Sequence, residues 1–382
     1  MLDQLPPVLA EKNGNHIVIT DHFGNTNVNG LQHKGAIQIN NESYFAKLDD
    51  LNPTVNGQWE NRYDVQFSSL SEAISSILVK NIESKQDFDS VEYEFATFNI
   101  NGKQSSGTIS KNYLKDNELE RVLAIGRTVD PHTLITTDEY AENIMDVSNQ
   151  DRFDHFIKYF TDHNVPYEHA KSFLIQQAAF DIITGNNDRL GNPSNFIIAY
   201  NDTTQTGRLI NFDYGRTLPL LWTEMTETNY NISWLEEDIE SNAKNINAGN
   251  DSIISSLTKN QAIEFLTQNG FKPFELNMDN LKKDLATLNQ TIQNSDVPFK
   301  KFAEVKIQSF EKSFEQPFMK QFYVEKSTSP SIDFSHNYNP VDTSIETTPR
   351  PTIKYDKQLK DKADTALSQI TSTEKDKELE RQ

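Results

Sequence analysis

The chain has 382 residues, carries a formal net charge of −20 and contains no cysteine. Its length suits two folded regions and a tail, and the absence of thiols excludes a disulfide framework and Cys-ligated metal sites. The negative charge repels nucleic acid and anionic membranes, so we expect neither general nucleic-acid binding nor membrane insertion. No run approaches the roughly 20 apolar residues of a membrane helix. The first residues also lack the basic and apolar regions of a secretory signal, and we therefore expect a cytoplasmic protein.

The N-terminal region is predicted to consist mainly of strands. Runs rich in β-branched and aromatic residues predict strands over 17–19, 36–39, 43–48, 91–100 and 103–109. Asn40-Asn41 joins the second strand to the third, and Asn101-Gly102 is a strong tight-turn signal between the last two. Between these hairpins, apolar residues at helical spacing predict a helix over 70–80.

From about Asn117 onward the pattern turns helical. Apolar residues at helical spacing predict helices over 167–183, 259–268, 279–293 and 299–322. The first of these should stop at Thr184-Gly185, because glycine suits the left-handed position that follows a helix. A polar loop over 186–194 comes next, and the apolar runs 196–200 and 208–212 predict a hairpin.

Three polar side chains flank that predicted hairpin. Asp188 lies on the loop before it, Asn195 immediately precedes its first strand, and Asp213 follows its second strand. Phosphoryl transfer needs such a set, since one Asp orients the attacking hydroxyl while an Asn and a second Asp hold magnesium. A hairpin would bring its two ends side by side. The alternative interpretation is a solvated Asn/Asp turn followed by an ordinary hairpin.

The segments 187–196 and 210–215 resemble the catalytic loop and metal-binding motif of HipA-like kinases and, more distantly, of phosphatidylinositol kinases. Both families use an Asp on this loop, a following Asn, and an Asp before an aromatic residue. The resemblance implies that Asp188 is catalytic with Arg189 beside it, and that Asn195 and Asp213 bind magnesium. For Arg189 the alternative is a local salt bridge.

The loop departs from the family pattern at two positions. The usual His and Asn are replaced by Leu190 and Pro193. This leaves Asn192 and Asn195 as candidates for the family's Asn. We favour Asn195 because it immediately precedes the apolar strand, in which case Leu190-Gly191 is a two-residue insertion.

Upstream segments resemble the nucleotide-binding parts of the same family. Residues 29–34 are similar to its phosphate loop, and 44–47 to the strand whose Lys reaches the phosphates. A Glu on the next helix would pair with that Lys, and the segment 109–113 falls where the hinge under the adenine should lie. The nucleotide-binding residues that the resemblance implies are Gly30, Gln32, Lys34, Lys47, Glu72 and Ser110.

Three of these residues have structural alternatives. Gly30 is also a plausible turn glycine, and Lys47 could be a strand lysine whose stem covers apolar surface. Glu72 also completes a capping box with Ser69, which would leave Glu92 or Glu94 as the partner of the lysine.

The resemblance implies an α+β, two-lobed protein-kinase-like fold with an antiparallel-sheet N-lobe and a mainly helical C-lobe. We expect the N-terminal lobe over 1–114 and the catalytic lobe over 115–326. The segment 327–382 is first rich in Ser, Thr and Pro and then highly charged, so we expect a disordered tail.

The implied function is an ATP- and magnesium-dependent kinase that phosphorylates Ser or Thr of a protein substrate. HipA-like toxins further imply an antitoxin protein as a partner. One alternative is a lipid or small-molecule kinase, although the acidic charge disfavours a membrane substrate. Another is a catalytically weak pseudokinase that acts as an interaction module, which the altered loop spacing favours.

Overall fold

The computed structural model describes most of the predicted strands and helices. The described residues are 8–20, 23, 34–49, 68–83, 88–111, 113, 120–125, 147–186, 189, 195–215, 217–218, 239–245, 254, 257–297 and 299–326. Their strands are β1 (Val8–Asn13), β2 (His16–Ile19), β3 (Lys34–Ile39), β4 (Glu42–Leu48), β5 (Asp89–Ser90), β6 (Tyr93–Ile100), β7 (Lys103–Lys111), β8 (Glu120–Ile125), β9 (Phe196–Asn201), β10 (Thr206–Asn211), β11 (Phe274–Leu276) and β12 (Tyr323–Glu325). Their helices are α1 (Ser68–Lys80), α2 (Asn149–Asp162), α3 (Tyr167–Thr184), α4 (Ile239–Asn245), α5 (Lys259–Gln268), α6 (Met278–Gln293) and α7 (Lys300–Ser313).

Strands from the N-terminal region close into a barrel, in the order β1-β2-β6-β7-β4-β3. Its pairings of β1 with β3 and of β2 with β6 are parallel, and the others are antiparallel. The predicted antiparallel sheet is therefore wrong, and the strands form a closed, mixed barrel. Closure depends on β1, a strand that the sequence did not predict and whose alternating side chains are only partly buried.

The two predicted hairpins of the barrel turn on residues with positive φ. Asn40 and Asn41 have φ of 52° and 66°, and Asn101 and Gly102 have φ of 52° and 83°. Two successive positive φ values are typical of a type I′ turn, whose twist matches that of the strands it joins. Both predicted turns are confirmed.

Strand alternation divides the barrel into an apolar interior and a polar outer row. The interior is filled by Ile17, Ile19, Ile37, Ile39, Ala46, Leu48, Ala96, Phe98 and Ile109. Because Ala46 and Leu48 face inward, Lys47 between them faces outward. Helix α1 packs against β6 and β7 of the barrel.

Helix α1 is buried on most of its surface, including its serines. The buried serines are Ser68, Ser69, Ser71, Ser75 and Ser76. These short side chains bond to residues outside the helix: Ser71 Oγ donates to the Thr217 carbonyl (2.9 Å), and Ser76 Oγ accepts from the Tyr93 amide (2.9 Å). Satisfied polar groups can be buried, so α1 contacts its surroundings on more than one face.

A second sheet has the strand order β5-β10-β9-β8. The predicted hairpin is its central pair, β9 and β10, whose register ends with Phe196 opposite Asn211. Strand β8 lies where the sequence predicted helix from about Asn117, so that prediction is wrong there. Helix α3 ends as predicted at Gly185, which has φ of 62°.

The C-terminal helices match their predictions except at one end. Helix α5 spans the predicted residues and begins with a capping box between Thr258 and Gln261. The helix predicted over 299–322 instead ends at Ser313. Pro317, which has no backbone N–H, follows four residues later, and β12 then pairs in parallel with β11. Nowhere in the part of the chain described by the structure does a helix have the length and apolar character to cross a membrane.

The predicted fold class is confirmed as mixed α+β. The two-lobed arrangement and the boundaries at 114 and 326 stay predictions. The predicted tail over 327–382 lies outside the described residues.

Candidate active site

Lys47 lies between two carboxylates on the outer face of the barrel. Its Nζ contacts Glu72 Oε1 on α1 and lies 3.1 Å from Asp213 Oδ1, just beyond β10. The side chains of Lys47 and Glu72 are 7% and 0% exposed, whereas that of Asp213 is 35% exposed. These three residues, here called the lysine cluster, therefore combine a buried ion pair with a carboxylate that reaches solvent.

The barrel register lines up the groups that hold this cluster. Lys34 on β3 is paired with Lys47 on β4, and Lys47 is paired with Thr108 on β7. Thr108 Oγ1 donates to Glu72 Oε2 at 2.7 Å, so both oxygens of that carboxylate are bonded. Glu72 thus pairs with Lys47 as the family resemblance implied, rather than only capping its own helix.

Asp213 adopts a backbone conformation that few residues other than glycine occupy. Its φ is 62°, in the left-handed region, which Asp tolerates better than most residues but still at a cost. Its amide donates to Tyr93 Oη at 3.3 Å. A Cβ on Gly215 would lie 3.0 Å from Ser68 Cβ and 3.5 Å from Asp213 Oδ1, so glycine allows this turn to approach the start of α1.

The charges of the lysine cluster stabilise one another against burial. Although burial pushes the other way, the carboxylates of Asp213 and Glu72 raise the pKa of Lys47 well above its usual value. Burial likewise opposes ionisation of Asp213, yet the Lys47 ammonium holds the pKa of Asp213 below its usual range. Burial and the nearby Lys47 charge lower the pKa of Lys34. Lys34 is therefore close enough to act electrostatically on the same site.

A second buried ion pair lies beneath the hairpin. Arg189 Nε lies 3.4 Å from Asp181 Oδ2 in the last turn of α3, and both side chains are 0% exposed. Asp181 Oδ1 accepts from Gln177 Nε2 at 2.8 Å and from Asn186 Nδ2 at 3.0 Å. Arg189 Nη1 donates to the carbonyl of Asn195 at 2.7 Å. These residues are here called the arginine cluster.

Further hydrogen bonds tie α1 to neighbouring elements. Asp49, two residues after Lys47, accepts hydrogen bonds from Ser106 Oγ (2.6 Å) and from the Ser69 hydroxyl. Lys306 on α7 donates to Ser71 Oγ at 2.5 Å. The helix that carries Glu72 is thus bonded both to the residue that follows β4 and to α7.

The structure brings together several of the predicted site residues. Lys34, Lys47, Glu72 and Asp213 lie within mutual electrostatic range, and Asn195 directly precedes β9 as predicted. Ser110 is buried in β7, paired with Phe45 and Tyr93, and its role at a hinge stays a prediction. Four residues lie outside the described part of the chain: Gly30, Gln32, Asp188 and the alternative ligand Asn192.

Sequence reasoning missed several residues of the site. Tyr93 and Thr108 carry no local signature, because only the barrel register brings them to Lys47. Asp49 is close to Lys47 in sequence, but its bonds to Ser69 and Ser106 depend on the fold. Asp181 did leave a signal: it is a lone carboxylate near the end of an otherwise apolar helical run. Buried carboxylates are uncommon unless they are paired, so that position could have been noted.

Asp213 and Asn195 fit a magnesium site by their chemistry. Mg²⁺ prefers oxygen ligands and keeps several waters, so it needs few protein groups. Asp213 Oδ2 accepts no hydrogen bond from any described residue, and its side chain reaches solvent. In the described ranges no cluster of three or more His, Cys, Asp or Glu could hold a metal by itself. A bound magnesium would therefore need ligands beyond Asp213 and Asn195, such as the oxygens of a nucleotide phosphate.

Comparisons with known proteins place few constraints on the chain. It matches no protein-family model and no curated protein. Among solved structures it is similar to a Helicobacter pylori proinflammatory kinase, CtkA, with a TM-score of 0.45 and 12% sequence identity over 76% of this chain and 92% of that chain. This level of similarity does not assign the kinase activity of CtkA to the present chain.

Proposed function

We propose that the chain is an ATP- and magnesium-dependent kinase. The observation that carries this proposal is the lysine cluster: a buried Lys47 held by Glu72 on a helix, with Asp213 beside it after a strand. Protein kinases use a Lys–Glu ion pair and a metal-binding Asp in these roles, and both must be in place for transfer.

Each residue of the cluster has a distinct role in the proposed reaction. Lys47 would bind phosphate oxygens of ATP, while Glu72 orients its ammonium. Asp213 and Asn195 would hold magnesium, which neutralises phosphate charge when bound. Asp188, which precedes Asn195 by seven residues in the sequence, would accept the proton of the attacking hydroxyl.

The proposed substrate is a Ser or Thr of a protein. Support comes from the catalytic-loop resemblance to HipA-like kinases, and the net charge of −20 disfavours an anionic lipid surface. Partnership with an antitoxin protein stays a prediction.

A single labelling experiment tests both the activity and the substrate class. The purified full chain is incubated with γ-labelled ATP and magnesium, together with a protein mixture, lipid vesicles or a metabolite mixture in separate reactions. We expect label on protein Ser or Thr, and loss of about 10²-fold or more in a folded Asp188→Asn variant.

The other outcomes of this experiment are equally specific. Label on lipid or metabolite would replace the protein substrate with a small-molecule one. Nucleotide binding without transfer would identify a pseudokinase. Absence of magnesium-dependent nucleotide binding by calorimetry would reject the kinase proposal altogether.

A further inference from the structure

Arg189 connects the two strands of the β9–β10 hairpin at its open end. Its Nη1 donates to the carbonyl of Asn195 at 2.7 Å and lies 3.3 Å from the carbonyl of Phe212. The β9–β10 ladder ends with the pair Phe196 and Asn211, so these two carbonyls are the next positions outward. One guanidinium nitrogen therefore joins the strand ends where the ladder stops.

The two carbonyls belong to the chain segments that carry the candidate metal ligands. Asn195 is itself a candidate ligand, and Phe212 is bonded directly to Asp213. A change in the separation of these carbonyls would move Asn195 relative to Asp213. Because magnesium requires ligand distances near 2.1 Å, a small displacement would weaken the site.

Asp181 fixes the direction of the guanidinium. Its Oδ2 faces Arg189 Nε, and its Oδ1 is held by two amides, from Gln177 and Asn186. The arginine plane also lies over the Phe196 ring, with Cζ 5.4 Å from the ring centroid. Contacts on the edge and the face leave the guanidinium little freedom to rotate.

The Arg189 side chain is enclosed by other residues. The side chain is 0% exposed, and its hydrogen bonds within the described residues go to main-chain carbonyls and to Asp181. Such a buried ion pair adds little to the stability of the fold, because burying two charges costs about as much free energy as their attraction returns. Nη2 is buried without a hydrogen-bond partner among the described residues, which adds to that cost.

We propose that Arg189 and Asp181 are positioning residues that set the separation of Asn195 and Asp213 for magnesium. Arg189 acts on the metal site through the main chain and does not touch the transferred phosphoryl group. This inference rests on the proposed kinase function and refines the role of Arg189, which the sequence suggested was catalytic.

The first test uses a conservative variant of Arg189 in the full chain. Arg189→Lys keeps the charge but has one ammonium in place of a planar fork, so it cannot bond Asp181 and both carbonyls in the same geometry. We expect the magnesium concentration for half-maximal activity, and the calorimetric affinity for magnesium–ADP, to worsen by about 10- to 100-fold. ADP affinity without magnesium should stay unchanged.

The second test separates positioning from stability. Asp181→Asn and Arg189→Gln each leave one buried charge without its partner and should lower the melting temperature. The double variant removes both charges and should regain much of that melting temperature, but not the magnesium affinity. Recovery of both quantities together would show a purely structural pair and overturn the inference.

Arg208 provides a matched control on the same hairpin. It contacts Asp89 and Glu120 at 2.9 Å each, but it lies on β10 five residues before Asp213. Arg208→Gln should lower the melting temperature and leave magnesium affinity unchanged. Equal losses of magnesium affinity in Arg189→Lys and Arg208→Gln would also overturn the inference.

Failure of the proposed function has a different signature from failure of this inference. If the wild-type chain shows no magnesium-dependent nucleotide affinity, the kinase proposal and the positioning role both fall. If the wild type shows it and a folded Arg189→Lys variant matches the wild type, only the positioning role falls.

Discussion

Both the lysine cluster and the arginine cluster place opposite charges in buried positions, but they differ in composition and exposure. The lysine cluster shares one cation between two carboxylates, and Asp213 reaches solvent with 35% of its side chain exposed. The arginine cluster pairs one cation with one carboxylate, both 0% exposed, and directs its remaining bonds to amides and main-chain carbonyls.

The difference indicates which cluster can bind a ligand. An excess carboxylate with a solvent-facing oxygen can take up a cation, and the lysine beside it can take up an anion when the ion pair adjusts. A neutral, enclosed pair carries no excess charge to attract a ligand from solvent, and its contacts act on the surrounding chain. The left-handed φ of Asp213 fits this division, because backbone strain concentrates at functional sites.

Removal of the exposed charge should have the largest effect. Asp213→Asn keeps the size of the side chain and tolerates the left-handed conformation, but removes the charge that we propose binds magnesium. We expect phosphoryl transfer to fall by about 10²-fold or more, because charge stabilisation through a metal is worth several kcal/mol. The melting temperature should change little, since the side chain is partly exposed.

Asp202 in the turn between β9 and β10 is the control for that variant. It is exposed and lies at the opposite end of the hairpin from Asp213. Asp202→Asn should keep wild-type transfer. Wild-type transfer in Asp213→Asn would show that the exposed carboxylate of the lysine cluster has no part in the reaction.

Removal of the shared cation should destabilise the fold as well as the site. Lys47→Met leaves Glu72 buried and unpaired next to Asp213, and we expect a loss of about 3–5 kcal/mol in unfolding free energy. Urea unfolding measures this loss, and calorimetry should show weakened nucleotide binding.

The exposed pair of Lys12 and Glu94 on the barrel provides the comparison. Their contact distance is 2.7 Å, but both side chains reach solvent. Lys12→Met should cost about 0–1 kcal/mol, as is usual for an exposed ion pair. If Lys47→Met loses no more unfolding free energy than Lys12→Met, burial does not increase the cost of breaking the ion pair in the lysine cluster.

Lys306 differs from Lys47 and Arg189, because it is a buried cation that makes no ion pair with a described residue. Burial lowers the pKa of Lys306 to about 7, with Asp49 acting in the opposite direction. Since the folded pKa lies below the unfolded value, the cost of burial is fully present below pH 7 and fades as the pH rises toward 10.

Lys306→Met should therefore stabilise the protein by a few kcal/mol near pH 7, offset in part by loss of the bond to Ser71. Unfolding of wild type and variant is compared at pH 6.5 and pH 9.5. The advantage of the variant should shrink at the higher pH, and an equal difference at both values would contradict the expected titration.

A smaller effect is expected where the lysine cluster meets the start of α1. Gly215→Ala places a methyl group 3.0 Å from Ser68 Cβ, which must push α1 and Glu72 away from Asp213. We expect a loss of about 1–3 kcal/mol from overpacking, together with a several-fold lower transfer rate.

Gly270→Ala separates these two consequences. A Cβ there meets nothing within 4 Å, although its φ of 101° makes alanine strained. This variant should lose stability and keep its transfer rate. A similar kinetic loss in both variants would mean that general destabilisation, rather than the approach of α1, explains the effect of Gly215→Ala.

The sequence by itself determined the elements whose signals are local. The turns at Asn40-Asn41 and Asn101-Gly102, the end of α3 at Gly185 and the whole of α5 follow from residue preferences within a few positions. The motif resemblance also selected Lys47, Glu72, Asn195 and Asp213 as a group.

Tertiary structure decided what depends on residues distant in sequence. Closure of the barrel needs parallel pairing of β1 with β3, and no local pattern specifies such a partner. The placement of Asp181 against Arg189 depends on how α3 meets the hairpin. Local preferences act over a few residues, whereas buried charges are stable only where the folded chain supplies partners, and those partners come from other elements.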